Sequence, residues 1–512
     1  MTTTPARGLD LPPLSVRPSA TAPAPSAPFA RGPVLAIAAG VAVLLAAVSA
    51  RYGWFGDEYY FLSAGARPSA GYADQPPLLP LLAAALDHLA PGDLVVLRLP
   101  ATLLTAAGTV VAALIARELG GGRRAQVLAA AVTAISPYLL ATGHLLATST
   151  VDPVCWAVVL WLLARWLRQE RDGVADDRLL LALGLVVAVA LFGKVLIVVL
   201  LGGLVVGIAV AGPRRLFRRP LLWVGMGLAA ASTVPTLVWQ ATHGWPQLRM
   251  GSVVAGESSL FGDRWEFLPR ALYYAGLAPG AVLVLLGGWA LLRYPPLRPW
   301  RSFGWASLLV TVVLLAAGGR PYYLSGLYAV LIAAGAVAVC SSSRSRRRVW
   351  WRWAVHPAAV VVSAVLTVLW VLPFGPASWR ATTEFETMGQ IGWSDLAASV
   401  ARQRHALPPG TVVMAYSYWY ASALEHEGPR YGLPTPVYST HRGFGYFDVP
   451  PGSADALLVG DVKWAPRFCR RLVPLPMYVG PEVAPVNDRV LLAVCTPSRP
   501  WAEAWPELRN LA

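Results

Sequence analysis

Long uncharged apolar runs, separated by short arginine-rich connections, constrain this chain more than any other feature. About 20 apolar residues coiled as a helix cross a bilayer with every backbone polar group satisfied internally. Eleven runs of that length, or nearly so, occur: Val34–Ala50, Leu94–Ala116, Ala125–Gly143, Val151–Trp166, Leu179–Phe192, Val195–Ala211, Leu221–Trp239, Ala271–Leu292, Phe303–Gly318, Tyr323–Val339 and Ala354–Pro373. Only 13% of the 512 residues are charged, about half the share of a soluble domain. These runs make the chain a polytopic α-helical membrane protein with about eleven transmembrane helices.

The net charge of +15 does not indicate a nucleic-acid partner, because the arginines fall in short clusters between the apolar runs. Arg31, Arg123 and Arg124, Arg165 to Arg178, Arg214 to Arg219, Arg293 to Arg301 and Ser343–Trp353 occupy alternate connections. Placing them inside follows the positive-inside rule and puts the N-terminus in the cytoplasm and the C-terminus outside the cell membrane. The alternation holds only if Leu179–Ala211 is two helices broken at Lys194. A lysine at mid-bilayer costs about 2.5–3.5 kcal/mol, which the break avoids. Residues 1–32, rich in Pro, Ala, Ser and Thr, read as a disordered cytoplasmic tail.

This topology brings the chain's polar motifs to one face. Asp57 and Glu58 in "FGDEYY", Asp152 in "ATSTVDP", Lys194, the Gln240–Arg270 loop and "GRPYY" (Gly319–Tyr323) all land outside. The first outer loop, 51–93, continues through "GYADQPPLLPLL", where a proline pair precedes an apolar segment too interrupted to span, read as a helix lying in the interface. Carboxylates beside fixed cations at a membrane surface suit a substrate with a hydroxyl to deprotonate and a phosphate to hold. There is no HExxH or CxxC spacing, so no metal site is expected. After Pro373, within residues 374–512, β-like runs at Gly410–Tyr418, Ala456–Asp461 and Arg489–Cys495 between Gly and Pro turns indicate a small extracytoplasmic α/β domain. Cys469 and Cys495 lie in it, where an oxidising compartment would let them pair.

"FGDEYYFLSAG", "GYADQPPLLPLLAA", "LRLPATLLTAAGTVVAALIARELGG", "SPYLLATGHLLATSTVDPVCW", "LFGKVLIVV", "PTLVWQATHGWP" and "ASALEHEGPRYGLPTPVYSTHRGFGYF" resemble, in order, successive blocks of a known family. It is the bacterial dolichyl-phosphate-mannose-protein mannosyltransferase-like family (glycosyltransferase family 39), membrane enzymes of the GT-C fold related to those that transfer aminoarabinose to lipid A. The resemblance runs from about Val34 onward and makes 33–373 the catalytic membrane domain. It implies inverting transfer of a sugar, with mannose first in line, from a polyprenyl-phosphate donor to an acceptor hydroxyl at the outer surface. No cofactor is implied, since the donor brings its own leaving group. The acceptor stays open among proteins, lipid A, envelope glycans and secreted natural products such as glycopeptide antibiotics.

The resemblance also implies residue roles. Asp57 matches the first-loop acidic residue that acts as general base, with Glu58 beside it to hold sugar or acceptor. Asp152 matches an acidic residue at the catalytic pocket, and Lys194 a phosphate-binding lysine. Arg320, Tyr322 and Tyr323 are placed to grip the phosphate and stack on the sugar, with Tyr59 and Tyr60 as further substrate contacts. Plainer readings exist for several: Glu58 as partner to a nearby arginine, Asp152 as a helix cap, Lys194 as a snorkelling lysine, and Arg320 with its tyrosines as an interfacial belt. A membrane transporter or lipid flippase would use the same residues to coordinate an anionic solute and needs a continuous path between helices, and a binding or scaffold protein with a degenerate site would keep the fold without the chemistry.

Overall fold

The computed structural model describes residues 27–257, 262–341, 350–376, 389–481 and 486–511. Most of the tail at 1–32 and of the arginine-rich Ser343–Trp353 run falls outside the described residues. The last tail residues do not follow the disordered reading. Ala30 is buried and donates its N–H to the Gln126 side chain, and the Ala27 carbonyl accepts from Arg117 Nε.

All eleven apolar runs form helix, though not eleven uniform spans. Numbered in chain order, the helices begin with α1 (Arg31–Val48), α2 (Gly56–Gly65), α3 (Leu78–Leu89), α4 (Leu94–Glu118), α5 (Arg123–Ala134), α6 (Pro137–Gly143), α7 (Thr148–Arg171) and α8 (Arg178–Gly193). They continue with α9 (Ile197–Ala211), α10 (Pro220–Thr242), α11 (Pro246–Gly256), α12 (Phe267–Tyr274), α13 (Leu277–Arg293), α14 (Arg301–Ala316), α15 (Ser325–Ser341) and α16 (Pro357–Val371). Among the described residues six helices are long and apolar enough to cross a membrane, and two bent pairs bring the number to eight. The α5–α6 pair bends by 61°, because Ser136 precedes Pro137 and leaves the α region to cap the second helix. The α12–α13 pair bends by 105°, at Gly276 and Leu277, which both have positive φ. Three further apolar helices, α8, α9 and α16, have 16, 15 and 15 residues. At 1.5 Å per residue they reach about 22–24 Å, short of a typical 30 Å hydrocarbon layer. The break within Leu179–Ala211 falls at Lys194, which takes an extended conformation between α8 and α9.

The helices pack through small residues. A side chain on Gly184 of α8 would strike the Gly225 backbone of α10, and one on Gly287 of α13 would strike the Leu331 carbonyl of α15. Without a hydrophobic drive between helices in lipid, such close backbone approach supplies much of the association. Helices α4, α7 and α15 form the buried centre, while α1 and α10 are largely exposed at the periphery. At one end the arginines of the connections meet carboxylates, with Arg168 2.6 Å from Glu118 and Arg219 2.8 Å from Glu170.

Beyond α16 lies a five-stranded sheet, β1 (Val412–Ala415), β2 (Tyr438–Ser439), β3 (Ala456–Val459), β4 (Cys469–Val479) and β5 (Arg489–Pro497), in the order β2-β1-β3-β5-β4. Strands β1–β3 are parallel, and β5 runs antiparallel to β3 and β4. The central strands are buried on both faces, as alternation requires. Val413, Leu457 and Val459 face Leu396, Ala397 and Val400 of α17 (Trp393–His405), whereas Met414 and Leu458 pack on Trp501 and Trp505 at the C-terminus. Strand β4 was not expected from the sequence. Its Pro474 and Pro476 are tolerated because it is an edge strand. A disulfide joins Cys469 of β4 to Cys495 of β5.

Candidate active site

The chain leaves α1 through Tyr52 and Gly53, both with positive φ, and enters α2 at Phe55. Glu58, third in the helix, turns back to accept the Phe55 N–H at 2.9 Å. Its carboxylate also takes a two-pronged ion pair from Arg98 of α4 (2.7 and 2.6 Å) and the Leu146 N–H (2.9 Å). Both side chains are completely buried, and Arg98 reaches on to the Ser49 and Gly53 carbonyls. The structure thus places Glu58 against Arg98 and the loop, away from the open side of the site. Its acceptor positions are spent on the loop, a buried version of the arginine-partner reading.

Asp57, one residue earlier, points the other way. Its Oδ1 accepts from the Tyr418 hydroxyl (2.9 Å) and the Trp419 indole Nε1 (2.7 Å). Both residues open α18 (Tyr418–Glu427), N-capped by Ser417. Oδ2 has no protein hydrogen-bond partner among the described residues. Asp57 also lies in the first turn of α2, whose amides point at anions. The approach is close enough that a Cβ on Gly56 would strike the Trp419 ring. Burial and the Asp57 charge push the Tyr418 phenol well above its usual range, so it stays a donor.

From Tyr418 a chain of charges runs across the end of the bundle. The Arg442 guanidinium lies 4.7 Å over the Tyr418 ring and donates to Glu257 Oε1 at 2.8 Å. Arg320 donates to the other oxygen of Glu257 at 2.7 Å and to the Tyr322 hydroxyl at 2.9 Å. Lys194 Nζ sits 4.4 Å from the Tyr323 ring centre and 5.9 Å from that of Tyr322. Its charge acts on the buried Asp152, whose Oδ1 accepts from Trp156 Nε1 at 3.0 Å. Burial works against both arginines, but Tyr418 and Asp74 beside Arg442, and Tyr322 and Tyr323 beside Arg320, hold them firmly protonated. Arg442 adopts a left-handed backbone (φ +50°), a strained conformation that such sites tend to collect.

Five of the residues picked from sequence, Asp57, Lys194, Arg320, Tyr322 and Tyr323, belong to this network, and Asp152 adjoins it through Lys194. Tyr59 and Tyr60 do not line it as substrate contacts. Tyr59 is buried, stacks on Trp54 and donates to Glu427 of α18 at 2.8 Å, which ties the loop to the sheet domain. Tyr60 is buried beneath Tyr418 and donates to Asp74 Oδ1 at 2.7 Å. Asp74, given no chemical role from sequence, is a second carboxylate here. Burial raises its carboxyl above the usual range against the pull of Arg442. Glu257, Tyr418, Trp419 and Arg442 were missed. The aromatic run "YSYWY" was the only signal for Tyr418 and Trp419, and a lone arginine in "HRGFG" gave none for Arg442.

Residues 74–239 match the profile of a family described as dolichyl-phosphate-mannose-protein mannosyltransferase. The fold is similar to the crystal structure of ArnT from Cupriavidus metallidurans bound to undecaprenyl phosphate, with a TM-score of 0.58 and 16% identity over 90% of this chain and 97% of that one. It is also similar to the cryo-EM structure of the mycobacterial arabinofuranosyltransferase AftD, with a TM-score of 0.50 and 17% identity over 91% of this chain and 40% of that one. No curated protein matches by sequence. The family match over residues 74–239 and the shared architecture together show a multi-span membrane protein with the GT-C fold.

Proposed function

We propose that the protein moves a sugar, mannose in the first instance, from a polyprenyl-phosphate donor to an acceptor hydroxyl, inverting the anomeric centre. One observation carries this reading: Asp57 has one oxygen held by two donors and the other without a hydrogen-bond partner among the described residues, at the end of a line of cations. In the reaction the acceptor oxygen attacks the anomeric carbon while its proton passes to Asp57 Oδ2. The bond from that carbon to the phosphate oxygen breaks, and the departing negative charge is met by Lys194, Arg320 and Arg442. These fixed cations supply the charge that a divalent ion supplies for nucleotide-sugar donors, so turnover needs no metal. Mannose is supported by the description of the matched family, and the lipid carrier by the undecaprenyl phosphate in the ArnT structure. The acceptor class stays open.

The site end of the bundle, with the sheet domain of residues 374–512, is proposed to face outward. The arginine-rich end then faces the cytoplasm in keeping with the positive-inside rule, and the Cys469–Cys495 disulfide suits an oxidising space. The test is purified protein in nanodiscs given labelled polyprenyl-phosphate mannose or a nucleotide-linked mannose, each with and without EDTA. Lipid carrier should be released only from the polyprenyl donor, undiminished by the chelator. Hydrolysis or transfer confined to the nucleotide sugar would defeat the proposal.

A further inference from the structure

At the end of the bundle away from the site, the connection between α9 and α10 is a short 3-10 turn, Arg214–Arg218. With the end of α9 and Glu170 of α7 it lines a basin open to solvent. The basin lies one membrane thickness from the site. Asp152 and Glu170 are both on α7, and the 18 residue steps from one to the other span about 27 Å of helix.

The charge in this basin is unbalanced. Arg214, Arg215 and Arg218 all line it and are exposed. Among the described residues none of the three is in an ion pair, although their neighbours Arg168, Arg171 and Arg219 all are. Glu170, the one acid in the wall, is already neutralised by Arg219 at 2.8 Å. Arg214 is held over the wall by its Nε bond to the Ala209 carbonyl at 3.0 Å. Three guanidinium forks in a recess suit the oxygens of a phosphate ester.

The walls then argue for a lipid rather than a soluble anion. Val210 lines the basin and is exposed, and so are Val206, one turn before it on α9, and Val224, near the start of α10 beyond the arginine turn. Trp223, also exposed, donates its indole N–H to the Phe217 carbonyl at 2.8 Å, the amphipathic posture of a tryptophan at the headgroup level. We propose that this basin binds the phosphate of an anionic phospholipid, with an acyl chain lying on the exposed faces of α9 and α10. Basic pockets of this kind between spanning helices hold anionic headgroups in membrane proteins generally.

The test uses the purified full chain, titrated with phosphatidylglycerol or phosphatidylcholine and read by native mass spectrometry, with inorganic phosphate as competitor. The wild type should retain phosphatidylglycerol over phosphatidylcholine, and millimolar phosphate should not displace it. Arg214→Gln/Arg215→Gln/Arg218→Gln should lower that retention about tenfold or more. Arg123→Gln/Arg124→Gln, which removes exposed charge at the same end outside the basin, should not. The all-lysine triple variant keeps the topology signal and loses only the forks. It should fall between wild type and the glutamine triple, and it decides the matter if the latter fails to insert. Equal phosphatidylglycerol retention in the substituted variants, an equal loss from the Arg123/Arg124 variant, or displacement by free phosphate would overturn the assignment.

Discussion

Trp419 donates its indole N–H to Asp57 across 2.7 Å, joining residues 362 positions apart in the chain. The sheet domain is thus part of the candidate active site. The first loop brings the carboxylate, and α18 aims it.

Removing that bond while keeping the ring should separate aiming from binding. A hydrogen bond to a charged group contributes about 1.5–3 kcal/mol. Trp419→Phe retains packing against Phe55 and Gly56 and should lower kcat roughly 10- to 100-fold. KM for the donor should stay near its wild-type value. Steady-state kinetics on the purified variant checks this, and a change confined to KM would contradict the positioning role.

Glu58 and Arg98 should behave differently from Asp57, through stability and not through chemistry. Both are fully buried, so Glu58→Gln leaves an unpaired guanidinium and should cost about 3–5 kcal/mol. The measurable result is a lowered Tm and poor recovery from detergent. Glu58→Met combined with Arg98→Met should recover much of the loss. A Glu58→Gln protein as stable as wild type would show that the pair does not hold the loop.

Glu257 now occupies the two arginines that the mechanism gives to the donor phosphate. A ligand that must displace an internal competitor binds only to the vacated fraction of the protein. Glu257→Gln should therefore tighten binding of undecaprenyl phosphate by about three- to tenfold. Arg442→Gln should weaken it. Calorimetric or fluorescence titration distinguishes this from a purely bridging role, in which Glu257→Gln would weaken binding as well.

Much of this was legible in the sequence because it is written in local patterns. The apolar runs marked the helices, and Lys194 marked the break between α8 and α9, since a mid-bilayer charge forces one. Asp57 stood out as an acid directly after a spanning run. What escaped depends on distant partners or on backbone geometry. Arg98 lies inside an apolar helix, 40 residues from the glutamate it neutralises, so adjacent Asp57 and Glu58 could not be told apart. Tyr418 and Arg442 reach the site only through the docking of the sheet domain. Strand β4 carries two prolines and two exposed arginines, a composition that reads as loop until its edge position is known. The bend between α12 and α13 turns on positive φ at Gly276 and Leu277, and Leu277 gives no warning of it.

Orientation has its own test. Alkaline phosphatase fused after Ala512 should be active in cells. Cys469 and Cys495 should resist thiol labelling until a reductant is added, because they form the β4–β5 disulfide. An active cytoplasmic reporter at the same junction, with both thiols free, would place the candidate site on the wrong side of the membrane for an outer-surface acceptor.

The central claim is that Asp57 takes the acceptor's proton. Asp57→Asn keeps the size of the side chain and an acceptor oxygen for Tyr418 and Trp419, but removes the base. Compared with wild type in nanodiscs, supplied with polyprenyl-phosphate mannose and an acceptor on which the wild type is active, it should turn over about 10²- to 10⁴-fold more slowly. Its Tm and its affinity for undecaprenyl phosphate should be unchanged. Near-wild-type turnover by a folded, lipid-binding Asp57→Asn protein would contradict the account and move the base to another carboxylate, Asp152 or Asp74.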